Sequence, residues 1–298
     1  MKLGTASTFA PAKVNLYLHV AAPDARGYHP LQSLVVFADF GDEVALLDAD
    51  SMGSGDPFKV ALKMDGPFGA GLDAGEDNLV MKAVRRFEAA RGVAVDRAIR
   101  LTKNLPIASG IGGGSADAGA VLRLLRDAYA PDMSDVDLAA IAGGIGADGV
   151  MCLWNRSSFA EGYGELLTPV DVPSVPAVLI NPLVECSTAR VYSGYDALGA
   201  FGEIDAMRGF GNLSTIDHLV TALSRTRNDL QRPAIQLQPV IADVLTVLEA
   251  QPQTLFARMS GSGATCFALC RTGDDAEALG VALRGVYPAA WVRPCQLG

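Results

Sequence analysis

The chain has 298 residues, of which 50% are hydrophobic and 19% charged, enough to build a sizeable core and too apolar for a disordered segment. Its 24 Lys and Arg against 33 Asp and Glu leave a formal net charge of -9, which removes the general attraction that nucleic-acid polymers and anionic membranes exert on basic proteins. Uncharged stretches such as Val172–Val184 are interrupted by Pro and are too short to span a bilayer.

The N-terminal run Met1–Lys13 is polar and interrupted where an export signal would be apolar, so a cytoplasmic chain is expected. Cys152, Cys186, Cys266, Cys270 and Cys295 are odd in number and include no Cys-x-x-Cys pair, and His19, His29 and His218 lack ligand spacing. Neither a disulfide framework nor a zinc site is expected.

Alternation at Val14, Leu16, Leu18 and Val20 predicts a half-buried strand, with Lys13, Asn15 and Tyr17 on its polar face. Residues 31–40 and 43–47 are further apolar runs, and Gly41-Asp42 between them predicts a hairpin. After loops at 51–75 around a short strand at 58–64, Val80, Ala83, Val84 and Phe87 fall at helical spacing, with Asp77 or Asn78 as cap and Gly92 as stop. A strand at 98–103 runs through a glycine-rich segment into a helix with Val121, Leu122, Leu125, Ala128 and Tyr129 on one face. Ser134 and Asp137 resemble a capping pair ahead of a short helix at 138–145. Pro169–Pro176 marks the boundary between two domains, 1–168 and 169–298. Beyond it come a strand at 177–181, helices at 215–225 and 235–249, a strand at 264–270, a helix at 275–286 and a strand at 290–294, so the fold class is α+β.

The most informative run is Pro106-Ile107-Ala108-Ser109-Gly110-Ile111-Gly112-Gly113-Gly114-Ser115-Ala116. Glycine reaches positive φ and lets backbone approach a ligand, and such a loop opening a helix aims amide donors and the positive dipole end at an anion, most naturally a phosphate. The run is neither a Walker A loop nor the dinucleotide fingerprint, whose last glycine would fall on Ser115. The plain alternative is a flexible strand-to-helix connection. Ser115 could cap the helix, coordinate a phosphate-bound metal, or do both.

Lys13 and Asn15, two apart on one strand face, either line one pocket or sit on a solvated edge. Asp148, in Gly146-Ala147-Asp148-Gly149, is either a carboxylate with a job or a turn residue. Met259–Thr265 holds a second glycine turn.

Pro11–Leu16, Leu105–Ala116 and Ser260–Ala264, in this order, resemble three motifs of the GHMP kinases, small-molecule kinases that include galactokinase, homoserine kinase and mevalonate kinase. Arg26–Ser33, Asp39–Asp42, Glu76–Val80, Gly146–Asp148 and Ala160–Glu165 further resemble the branch that acts on a cytidine-diphosphate-linked methylerythritol in non-mevalonate isoprenoid synthesis. The resemblance implies a two-domain GHMP kinase fold, with an N-terminal domain like that of a ribosomal protein and a C-terminal ferredoxin-like α/β sandwich. It implies ATP-dependent phosphorylation of the 2-hydroxyl of 4-diphosphocytidyl-2-C-methyl-D-erythritol, with ATP and Mg2+ as cofactors.

By the same resemblance, residues 106–116 wrap the ATP phosphates, Asp148 is the catalytic base and Lys13 its charged companion, while Ser115 stays a candidate for Mg2+. Tyr28 and Tyr192 would flank the cytosine with His29 at its polar edge, while Asn15 and Thr188 meet the erythritol and diphosphate portions. The expected partner is this small molecule alone, with no nucleic-acid polymer and no membrane, for a monomer or homodimer. Two departures from the family pattern stand out. Gly149-Val150 replaces the usual Val-Pro and would loosen the backbone that aims Asp148, and Ala116 replaces the usual second Ser, leaving Ser115 as the one hydroxyl opening the helix. The rival expectations are a GHMP kinase for another alcohol, of homoserine or mevalonate type, and a silent nucleotide-binding member.

Overall fold

The computed structural model describes residues 6–47, 61–204 and 213–298. The fold is α+β and divides into two compact units. One comprises the described residues of Met1–Ala12, Gly41–Ile107 and Gly112–Asn155, and the other those of Lys13–Phe40, Ala108–Ile111 and Arg156–Gly298. Two long strands, β1 (Ala6–Val20) and β2 (Leu31–Leu47), contribute to both.

In the first unit, the end of β2 pairs antiparallel with β4 (Ala98–Thr102), and β4 pairs parallel with β3 (Leu62–Asp65). Four helices belong to it: α1 (Leu79–Arg91), α2 (Gly113–Tyr129), α3 (Asp135–Gly143) and α4 (Gly149–Trp154). The expected caps are present. Asn78 accepts from the Val80 amide, Gly92 closes α1 at φ 65°, and Ser134 accepts from the Asp137 amide. Gly119 lets α2 lie against α4, since a Cβ there would sit 2.5 Å from the Cys152 carbonyl oxygen.

In the second unit, β5 (Ser158–Glu161) pairs with Ser33–Val35 of β2 and with β6 (Leu166–Pro169). A run of antiparallel neighbours follows from β2 through β10 (Trp291–Leu297), β7 (Val175–Asn181) and β9 (Cys266–Cys270) to β8 (Thr254–Met259). The unit also holds α5 (Thr188–Leu198), α6 (Ile216–Leu223), α7 (Gln231–Leu237), α8 (Val240–Glu249) and α9 (Gly273–Val286), the last opened by a Thr272–Asp275 capping box. Its core joins Leu18, Val20, Ile180, Val191, Ile241 and Leu279.

Several expectations are corrected. The strand at 14–20 is buried on both faces from Ala10 onward, so Lys13, Asn15 and Tyr17 are not on a solvated side. No hairpin forms at Gly41-Asp42, because β2 runs straight through it. Gly41 serves clearance: a Cβ there would lie 2.1 Å from the Ala10 carbonyl oxygen and 2.6 Å from Pro11 Cα. Gly41→Ala is therefore expected to cost about 1–3 kcal/mol of overpacking, read as a lower urea midpoint at unchanged slope.

The helix expected at 235–249 is α7 and α8, parted at Gln238, which leaves helical geometry (φ -137°, ψ 86°) ahead of Pro239. Of the strand expected at 58–64, residues 58–60 lie outside the described residues and the remainder begins at Leu62. The sequence pattern gives no sign of β5, β6, β8 or α5, the strands among them being too short or too evenly half-buried for a clear period.

Candidate active site

The glycine run leaves the end of β4 and enters α2. Ala108, Gly110 and Gly112 all have positive φ, at 50°, 74° and 67°. Gly112 is the N-cap of α2 and, lacking a side chain, offers no capping hydrogen bond, and no acidic residue stands in the first turn. The first intrahelical bond is Ala116 N–H to the Gly112 carbonyl (2.9 Å). The amides of 113–115 therefore precede the helical ladder at the positive end of a 17-residue helix, an arrangement suited to a phosphate.

Within the second unit, the centre of this loop is stitched to two other motifs. The Lys13 amide donates to the Ile111 carbonyl (2.9 Å), and the Thr265 amide donates to the Ser109 carbonyl (3.1 Å). Ser260 Oγ accepts from the Asn15 amide and donates to the Gly110 carbonyl, each at 3.1 Å. Asn228 supports the turn from below, donating through Nδ2 to the carbonyls of Met259 and Gly261. Gly110 is obligatory here, since a Cβ would come within 2.7 Å of the Ser260 and Gly263 carbonyl oxygens. In the sequence Ser260 falls within the second glycine turn, Met259–Thr265, whereas Asn228 carries no local signal of its role.

Lys13 is buried, and its ammonium donates to Asn15 Oδ1 (2.8 Å). Asn15 Nδ2 donates in turn to Ser33 Oγ (2.7 Å), which donates to the Tyr17 carbonyl (2.6 Å). This chain orients the ammonium, so Asn15 has a positioning role toward Lys13 whatever else it contacts.

In the first unit, Asp148 is half-buried at the N-cap of α4, with bridge-region backbone (φ -83°, ψ 0°) and no side-chain bond to that helix's amides. Gly149 does not loosen the site as its sequence suggested. Its amide donates to the Gly146 carbonyl (2.9 Å), and a Cβ would sit 2.0 Å from the Ala142 carbonyl oxygen, so glycine allows α4 to start hard against the end of α3.

A buried ionic group missed in the sequence lies under the ends of the glycine run. Lys103 bonds to Asp42 Oδ2 and, at 2.8 Å, to Asp117 Oδ2. Burial works against the Lys103 ammonium, but Asp117 and Asp42 outweigh it and raise its pKa. Burial pushes the Asp117 carboxyl up to about 8, Lys103 opposing and the Asp42 carboxylate adding to the rise.

The aromatic residues belong to the second unit. Tyr28 is 63% exposed, on a turn braced by Asp24. The Tyr28 amide first, then Tyr163 and Arg26, hold the Asp24 carboxyl well below the usual carboxylate range. Arg26 lies over the Tyr163 ring (5.1 Å) and the Tyr28 ring (5.8 Å). His29 is buried, its ring 5.2 Å from that of Tyr192; its Nδ1 is 2.8 Å from the Ala21 carbonyl and its Nε2 3.1 Å from Asp196 Oδ1. Thr188 opens α5, with Oγ1 2.8 Å from Ser262 Oγ.

Residues 78–156 match the model of the GHMP kinases N terminal domain, and residues 203–289 that of the GHMP kinases C terminal domain. The chain belongs to the GHMP kinases and has their two-domain fold, a family whose members transfer phosphate to small molecules. Among its relatives is the 4-diphosphocytidyl-2-C-methyl-D-erythritol kinase of Caulobacter sp. strain K31, 48% identical over 97% of both chains. The enzyme of that name from Hyphomonas neptunium is 43% identical over 96% of this chain and 94% of its own. A crystal structure of 4-(cytidine 5'-diphospho)-2C-methyl-D-erythritol kinase superposes with a TM-score of 0.74 at 30% identity, covering 98% of this chain and 99% of that one. The homoserine kinase of Cytophaga hutchinsonii shares the fold, with a TM-score of 0.71 at 22% identity over 99% of this chain and 95% of that one. No helix among the described residues is long and apolar enough to cross a membrane.

Proposed function

We propose that the protein phosphorylates the 2-hydroxyl of 4-diphosphocytidyl-2-C-methyl-D-erythritol at the expense of ATP, giving the 2-phosphate and ADP for isoprenoid precursor synthesis. The observation that carries this reading is the positive-φ glycine run ending in an uncapped helix N-terminus, in a chain 48% identical to a kinase of that name. Residues 106–116 hold the ATP phosphates through backbone amides. Asp148 accepts the proton of the substrate hydroxyl, since an alcohol is a poor nucleophile until a positioned base takes its proton. Lys13, oriented by Asn15, stabilises the negative charge that develops on the oxygen.

The Ser115 hydroxyl in the first turn of α2 is a hard oxygen donor, which fits Mg2+ held between one protein hydroxyl and ligand phosphates. When bound, Mg2+ would neutralise phosphate charge. Tyr28, His29 and Tyr192 are assigned to the cytosine, the exposed Tyr28 ring offering a stacking face. Asn15 and Thr188 are assigned to the erythritol and diphosphate portions.

The proposed domain division, 1–168 and 169–298, keeps each family model whole on its own side. A cytoplasmic setting, where thiols stay reduced, suits the five buried free cysteines, and the protein would act as a monomer or homodimer without a nucleic-acid or membrane partner. Purified protein with Mg·ATP is expected to release ADP only when the cytidyl methylerythritol is present. Equal turnover with homoserine or mevalonate, or no turnover with any alcohol, would overturn the reading.

A further inference from the structure

We propose that Asp42, Lys103 and Asp117 form a buried strap that ties together the two ends of the glycine run and holds its amides ready for nucleotide phosphates. The proposal rests on the reading of residues 106–116 as the ATP loop. Lys103 stands just past the end of β4, where the run begins, and Asp117 stands just inside α2, where it finishes. One ammonium bonds to both carboxyl groups, and Asp42 Oδ1 also accepts the amides of Asn104 (2.6 Å) and Leu105 (2.8 Å). Asn104 Nδ2 adds a bond to the Gly41 carbonyl (3.1 Å). The departing chain and the arriving helix are thus fastened to one point on β2.

Stability alone is a poor reason for such a group. All three side chains are at most 5% exposed, and well-packed apolar residues often replace buried ion pairs without loss. What ions provide here is placement. The run contains Ala108 in left-handed geometry (φ 50°), a conformation that persists only where its surroundings over-determine it. A loop fixed at both ends before the nucleotide arrives is spared part of the ordering cost on binding. Asp42, Lys103 and Asp117 are positioning residues in this account: they touch loop backbone and one another.

Steady-state kinetics and calorimetric ATP binding on the full chain test this. Asp117→Ala cuts α2 from the strap while leaving Lys103 a buried counter-ion in Asp42. It is expected to raise KM and Kd for ATP about tenfold, about 1.4 kcal/mol of nucleotide binding, with the alcohol KM unmoved. Asp117→Asn, which still offers Lys103 an acceptor, is expected to restore ATP affinity. A lowered melting temperature with unchanged ATP affinity, or equal rises in both KM values, would overturn the strap. If the wild type binds ATP yet phosphorylates no cytidyl methylerythritol, the substrate reading fails on its own and the calorimetric comparison still decides the strap.

Discussion

Replacing Asp148 by asparagine is expected to lower kcat by about 10²–10⁴-fold while ATP affinity holds. The substitution keeps size but replaces a charged carboxylate that can accept a proton by a neutral amide that cannot. It does not unravel α4, because the Asp148 side chain makes no bond to the first-turn amides of that helix and asparagine is itself a good N-cap. Gly149 lets α4 begin against the Ala142 carbonyl, so the backbone that aims residue 148 is set by packing that the substitution leaves intact. Rates at saturating ATP, compared with calorimetric ATP binding, separate the two effects. A full rate in Asp148→Asn would remove Asp148 from the role of base, and an equal fall in binding would make its role electrostatic support of the nucleotide.

Gly110→Ala is expected to act on the other ligand, weakening ATP binding by about 10–100-fold. The added methyl meets two penalties at once. Left-handed geometry at φ 74° costs a non-glycine residue about 1–2 kcal/mol, and the Cβ would press within 2.7 Å of the Ser260 and Gly263 carbonyl oxygens. Those carbonyls sit in a turn that also bonds to Asn15, Ser109 and Asn228, so it yields only by disturbing several hydrogen bonds. The loop gives way instead, and its amides lose the geometry that a phosphate needs. ATP calorimetry reads the loss, and unchanged affinity would show that the loop backbone does not hold the nucleotide.

Much of the local structure was legible in the residues. Asn78, Gly92, Ser134 and the glycine run each act within a few residues of chain, through a cap, a stop or a positive φ, and each occurs where its pattern placed it. Gly41 and Gly149 look in sequence like a turn and a loose hinge, and the structure uses both for clearance. A glycine required for clearance looks the same in sequence as one required for turning, and the atoms that decide, the carbonyls of Ala10 and Ala142, come from other segments. An apolar period continues across Pro239, so the sequence reads as one helix where the structure has two.

The sequence by itself determined the family, the order of strand, glycine loop and helix, and the candidacy of Lys13 and Asp148, because these rest on short motifs whose chemistry is carried by residue type and spacing. Only the tertiary structure decided that Lys13 is buried and oriented through Asn15 and Ser33, that the Ser260 turn braces the centre of the loop, and that Asp42, Lys103 and Asp117 meet beneath its ends. Those contacts join residues separated by up to 245 positions, and no local rule of propensity or period records which distant side chains will share one buried space.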